Sequence, residues 1–75
     1  MRMITVKCFA RYRALLGFDT LEVPAAPTLG DLLADARFVP LPKDALLAVN
    51  QAFADRNIPL ADGDEVALMP PVSGG

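Results

Sequence analysis

The residues best placed to do chemistry stand at the end of the sequence. Seventy-five residues close on Pro70-Pro71-Val72-Ser73-Gly74-Gly75, and the rest of the chain holds no histidine and a single cysteine, Cys8. A lone cysteine excludes an internal disulfide. Without histidine, zinc sites of the usual kind and histidine-activated nucleophiles fall away as well. What remains is carboxylates, a partner, or the chain's own end. A terminal Gly-Gly arises by chance in roughly 1 chain in 200, and a frayed end of no consequence is the plain reading of it. Three features around the dipeptide point further. The prolines favour an extended exit that resists folding back. Six extended residues reach roughly 20 Å, enough to thread a channel in another protein. Gly74 and Gly75 carry no side chain, so a partner can close tightly around their backbone and approach the terminal carboxylate unhindered.

That carboxylate is an anion at neutral pH and resists nucleophiles. Adenylation turns it into a mixed anhydride with a good leaving group. A sulfur nucleophile that then displaces AMP leaves a thiocarboxylate, a nucleophilic sulfur on a stiff tether. The chain has no phosphate-cradling glycine motif, so a separate ATP-using enzyme is required.

The rest of the sequence has to hold this end in place. The chain is long enough for one small domain and too short for a large pocket with its own supporting shell. It is 53% hydrophobic, with a formal net charge of −2. The first value provides a core; the second speaks against a nucleic-acid footprint, which needs clustered Lys and Arg. No apolar run approaches the length of a membrane span, and the opening MRMITVKCF does not resemble a signal peptide. The expectation is a cytoplasmic protein with neither nucleic-acid nor membrane partner.

Period-two alternation marks a first strand over Met3–Phe9, with Ile4, Val6 and Cys8 inward and Thr5 and Lys7 outward. Cys8 reads as a small buried core residue. One to two helical turns follow, with Tyr12, Leu15 and Leu16 as the apolar stripe and Gly17 as the left-handed stop. Leu21 and Val23 alternate in a second strand closed by Pro24, paired with the first as a hairpin. Thr28 and Asp31 form a capping box ahead of a helix of about three turns, whose stripe is Leu29, Leu32, Leu33 and Ala36. Pro40 and Pro42 end it. DALLAVN is a third strand, Asn50-Gln51 a turn, and Ala52–Phe53 a short return strand. Asp62-Gly63 turns the chain into a last strand carrying Val66 and Leu68 against Ala67 and Met69, stopped by Pro70 and Pro71.

This order predicts an α+β domain over residues 1–69, a mixed sheet of four to five strands covered on one face by a helix, followed by a flexible tail over 70–75. It fits a β-grasp roll with the first and last strands side by side at the centre. Ala67, Met69 and Phe53 are candidates for a partner surface on the open face; core packing is the alternative for Phe53. Arg11 and Arg13 read as solvated side chains. Asp62, Asp64 and Glu65 lack calcium-loop spacing and read as turn chemistry.

The segments FARYRALLG, LLAVNQ and, above all, LADGDEVALMPPVSGG are similar to the ubiquitin-like sulfur carriers. The chain most resembles the family of molybdopterin synthase small subunits, over essentially its whole length. The resemblance implies a β-grasp fold with no bound cofactor and no metal site. It implies that Gly75 is adenylated at the expense of ATP by an E1-like enzyme and charged by a sulfur donor system to a thiocarboxylate. Gly74 is then the unhindered approach, and Pro70, Pro71, Val72 and Ser73 the partner-binding tail. It also implies a heterotetramer in which two successive carriers deliver sulfur to cyclic pyranopterin monophosphate, forming the molybdopterin dithiolene. The catalytic groups belong to the large subunit, so the carrier is the sulfur donor of the complex. Three readings compete: a sulfur carrier for thiazole synthesis or tRNA thiolation, a protein modifier joined through Gly75 to lysines, and an interaction domain with an inert tail.

Overall fold

The computed structural model describes residues 2–71. In chain order the elements are β1 (Met3–Cys8), α1 (Tyr12–Leu16), β2 (Thr20–Pro24), α2 (Leu29–Leu33), a 3₁₀ turn (Ala36–Phe38), β3 (Leu46–Val49), β4 (Ala52–Phe53) and β5 (Glu65–Met69). The strands form one sheet in the order β2-β1-β5-β3-β4. β1 and β5 are parallel, and the other pairings are antiparallel. The expected hairpin of β1 with β2 and the central pairing of the first and last strands are both present, and the arrangement is a β-grasp.

Alternation along each strand becomes rows across the sheet. Leu21, Val6, Val66 and Val49 stand in register on one row, and Cys8, Leu68 and Leu47 on the next. These rows face the helices. Ile4, Val6, Val66 and Leu68 are fully buried there, together with Leu29 of α2 and Tyr12 of α1. Among the described residues no charged side chain is buried, and the one buried side-chain oxygen or nitrogen without a hydrogen-bond partner is the Tyr12 hydroxyl, so hydrophobic burial dominates this core. The opposite row runs Thr20, Lys7, Ala67, Ala48 and Phe53, and no helix covers it.

Two helical expectations need correction. α1 ends as expected at Gly17, whose φ of 85° places its N–H on the Arg13 carbonyl at 2.9 Å. Of its stripe, though, only Tyr12 is buried, and Leu15 is exposed. α2 is also shorter than three turns. Thr28 caps it through the Asp31 N–H, and the two side chains bond to each other at 2.9 Å. Helical bonding then stops near Ala34. Asp35 adopts an extended conformation and accepts the N–H of Arg37 with its own carboxylate, an Asx competitor to the next helical turn. Ala36 is therefore exposed. Phe38 takes its place over the core, 2% exposed and edge-on to Phe18 at 6.4 Å between ring centroids.

Candidate functional site

The end of β5 leads towards the segment expected to carry the chemistry, and both ends of this strand are specified by local chemistry. At its start, the Asp62-Gly63 turn is tied to the head of β1. Met3 N–H donates to Asp62 Oδ1 and Gly63 N–H to the Met3 carbonyl, each at 2.8 Å. Gly63 has a φ of 86°, a conformation natural to glycine in a turn. Asp64 accepts the Ala61 N–H at 2.8 Å on one oxygen and the Asn50 side-chain amide at 2.9 Å on the other. Asn50 itself accepts the Glu65 N–H at 3.0 Å. The Ala61 N–H, and after it the Asn50 amide, hold the Asp64 carboxyl below the usual carboxylate range. Asn50 and Gln51 both have positive φ, 52° and 70°, the pattern of a type I′ hairpin turn. The β3–β4 turn and the acidic turn before β5 thus interlock. The carboxylates of Asp62 and Asp64 serve this turn, whereas that of Glu65 pairs with Lys7 of β1. No group of three or more potential metal ligands occurs among the described residues.

At the other end, Phe9 N–H donates to the Leu68 carbonyl at 3.1 Å. After Met69 come Pro70 and Pro71, which have no N–H to continue a ladder. Both are half-buried. Val72, Ser73, Gly74 and Gly75, the remainder of the expected site, lie outside the described residues.

The chain leaves β5 beside the uncovered face of the sheet, where a concave apolar surface of about 380 Å³ is formed by Phe9, Ala48, Phe53, Ala67 and Met69. This brings together the three residues singled out for a partner surface. Phe53 is 76% exposed, so the core alternative for it is excluded. Phe9, 45% exposed, and Ala48 were not expected to join them. Alternation contains the signal for Phe9: it falls in phase with Thr5 and Lys7, away from the core. Ala48 joins through register, lying between Ala67 and Phe53. Lys7 Nζ and Glu65 Oε2 pair at 3.1 Å on the rim, with both side chains still partly exposed. Exposed aromatic and apolar side chains gathered on one face of so small a domain are the kind of surface that other proteins dock on, which makes this face the candidate partner surface.

Cys8, the one thiol, faces the core. Burial, with a smaller contribution from the Asp19 charge, pushes its pKa up, so it stays protonated and unreactive at neutral pH. Arg11 and Arg13 are exposed as expected, and the Arg11 guanidinium lies 5.6 Å from the Tyr12 ring centroid. No helix among the described residues is long and apolar enough to cross a membrane.

The described residues form a β-grasp domain with an exposed apolar face on the side of the sheet that the helices leave open. The sequence model of the ThiS family matches residues 6–75, and the chain belongs to that family. Its relatives include the molybdopterin synthase sulfur carrier subunit of Escherichia coli K12, 44% identical over 97% of this chain and 100% of the relative. Among solved structures, the fold matches small archaeal modifier protein 1 of Haloferax volcanii with a TM-score of 0.83 at 25% identity, covering 96% of this chain and all of that one. It also matches a chain from the complex of subunits 1 and 2 of the molybdopterin-converting factor of Helicobacter pylori. There the TM-score is 0.71 at 28% identity, over 97% of this chain and 99% of the other.

Proposed function

We propose that this chain is the sulfur carrier subunit of a molybdopterin synthase. In this reading Gly75 is adenylated by an E1-like enzyme that consumes ATP and releases pyrophosphate. A sulfur nucleophile from a donor system then displaces AMP to give the thiocarboxylate. The large synthase subunit docks on the open face around Phe9, Phe53 and Met69, and its channel receives Pro70 to Gly75. Sulfur passes there to cyclic pyranopterin monophosphate, and a second charged carrier completes the dithiolene. The carrier contributes recognition and the sulfur atom; proton transfer falls to the large subunit, because this chain has no histidine and its only thiol is buried. The observation that carries the reading is the apolar face beside the end of β5, in a chain 44% identical over 97% of its length to a molybdopterin synthase sulfur carrier subunit.

The test is the intact mass of the chain after incubation with ATP, a sulfide source and cell extract. The expected result is a gain equal to exchange of one oxygen for sulfur, mapped to Gly75, and complete loss of that gain in a chain lacking Gly75. Addition of purified large subunit and pyranopterin should then discharge it. The likeness to an archaeal modifier protein gives the second reading its observation. Isopeptide adducts through Gly75, with no oxygen-for-sulfur exchange, would replace the carrier by the modifier.

A further inference from the structure

A second hollow, lined by aliphatic and basic side chains, lies on the helix side of the molecule, away from the docking face. It is an open groove of about 600 Å³ whose walls include Leu33 and Ala34 from α2, Val39 and Leu41 from the segment after it, and Lys43 and Arg56. Val39 is 76% exposed, with no covering element to explain an aliphatic side chain so far out of the core. Lys43 and Arg56 are exposed, and among the described residues neither side chain takes part in an ion pair or a hydrogen bond. No carboxylate lines the groove, although the chain as a whole carries a net charge of −2. Two free cations flanking an apolar floor on an otherwise acidic protein are complementary to a ligand that is both acidic and aliphatic.

We infer that this groove docks an acidic peptide segment of a partner protein, seating one or two aliphatic side chains on Leu33, Val39 and Leu41 and setting carboxylates against Lys43 and Arg56. Two cations are too few to hold a nucleic-acid backbone, which is bound through many phosphate contacts. The floor suits branched aliphatic anchors, and the volume is within the range of small-ligand and peptide sites. Because the groove and the open face lie on opposite sides of the sheet, a carrier held here keeps its docking face and chain end free for another protein.

The experiment titrates the isotopically labelled full chain with a synthetic peptide of two adjacent leucines flanked on each side by three glutamates, followed by amide shifts in NMR. The expected perturbations fall on Leu33, Ala34, Val39 and Leu41 and spare Phe9, Phe53 and Met69. Affinity drops about tenfold in the double reversal K43E/R56E, and by less in the milder K43Q/R56Q, which guards against a folding defect. V39S weakens binding without altering its salt dependence. Perturbations confined to the open face, no binding, equal affinity in the double variants, or equal affinity for a peptide with serines in place of the leucines would each overturn the inference. None of these outcomes bears on sulfur charging at Gly75, so the two proposals fail independently.

Discussion

Leu68 and Met69 are consecutive residues of β5, and they belong to different parts of the protein's working life. Leu68 is fully buried between Cys8 and Leu47, under the helices. Met69 points the other way, half-buried on the face shared with Phe9 and Phe53. The same alternation runs along β1, whereas β3 is buried at Leu47, Ala48 and Val49 alike. One face of the sheet is closed by α1, α2 and Phe38 and is apolar but for the Cys8 thiol and the buried Tyr12 hydroxyl, which has no hydrogen-bond partner among the described residues. The other keeps an apolar floor, an ion pair at its rim and large side chains turned to solvent. The first arrangement holds the domain together, and the second is spared from that duty. In a chain this small, burying Phe9, Phe53 and Met69 would add to stability. That Phe9 and Phe53 stay exposed, with Met69 only half-buried, is what the proposed docking role of this face accounts for.

This contrast can be broken most sharply on the helix side. Leu68→Ala removes a fully buried side chain from a close-packed core and should cost about 3 kcal/mol of stability, read as a lower midpoint in urea unfolding. The same variant, where folded, should bind the large subunit nearly as tightly as the parent. Phe53→Asp is the converse test. It should leave unfolding within about 0.5 kcal/mol of the parent, as for other exposed positions, and weaken binding to the large subunit by about 2 kcal/mol, roughly thirtyfold, by calorimetry. If Phe53→Asp unfolds the domain, or Leu68→Ala abolishes binding at temperatures where it is folded, the division between the faces is wrong.

A smaller effect tests the turn that anchors β5. Asp64→Asn keeps the shape of the side chain and removes its charge. It should cost about 1 kcal/mol or less, since water screens this exposed turn. The sign of its pH dependence follows from the depressed carboxyl. On acidification the unfolded chain takes up its proton first, so the contribution is complete above the ordinary carboxylate pKa and disappears as pH falls through the folded value. The difference in melting temperature between parent and Asp64→Asn should therefore be largest at neutral pH and close in acid. Asp35, held low first by the Arg37 N–H, loses its contribution in the same direction, so the parent keeps some acid sensitivity after Asp64 is replaced.

Much of the architecture was legible residue by residue. Gly17 and Gly63 adopt the left-handed conformation where the turns required it. Thr28 caps α2, and the alternation of β1, β2 and β5 identifies their inward residues. The length of α2 was not legible. The stripe continues to Ala36, and nothing in its period announces that Asp35 will capture the Arg37 N–H or that Phe38 offers the core a better cover. The candidate site was legible in part. Ala67, Met69 and Phe53 were visible as outward positions, whereas their meeting with Phe9 and Ala48 depends on strands far apart in sequence. The groove of Lys43 and Arg56 was not visible at all, since its walls come from three separate segments.

By itself the sequence determined what acts over a few residues: which side chains face in, where helices start and turns form, and that β5 must stop at two prolines. These follow from backbone sterics, capping bonds and the two-residue period of a strand. The resemblance of its segments to sulfur carriers was likewise readable without coordinates. Only the tertiary structure decided which strands are neighbours, and so which outward residues share a surface. The parallel pairing of β1 with β5 sets Lys7 beside Ala67 and Phe9 beside Leu68 across about sixty residues of chain. Such contacts form because together they close one core, and no local preference encodes them.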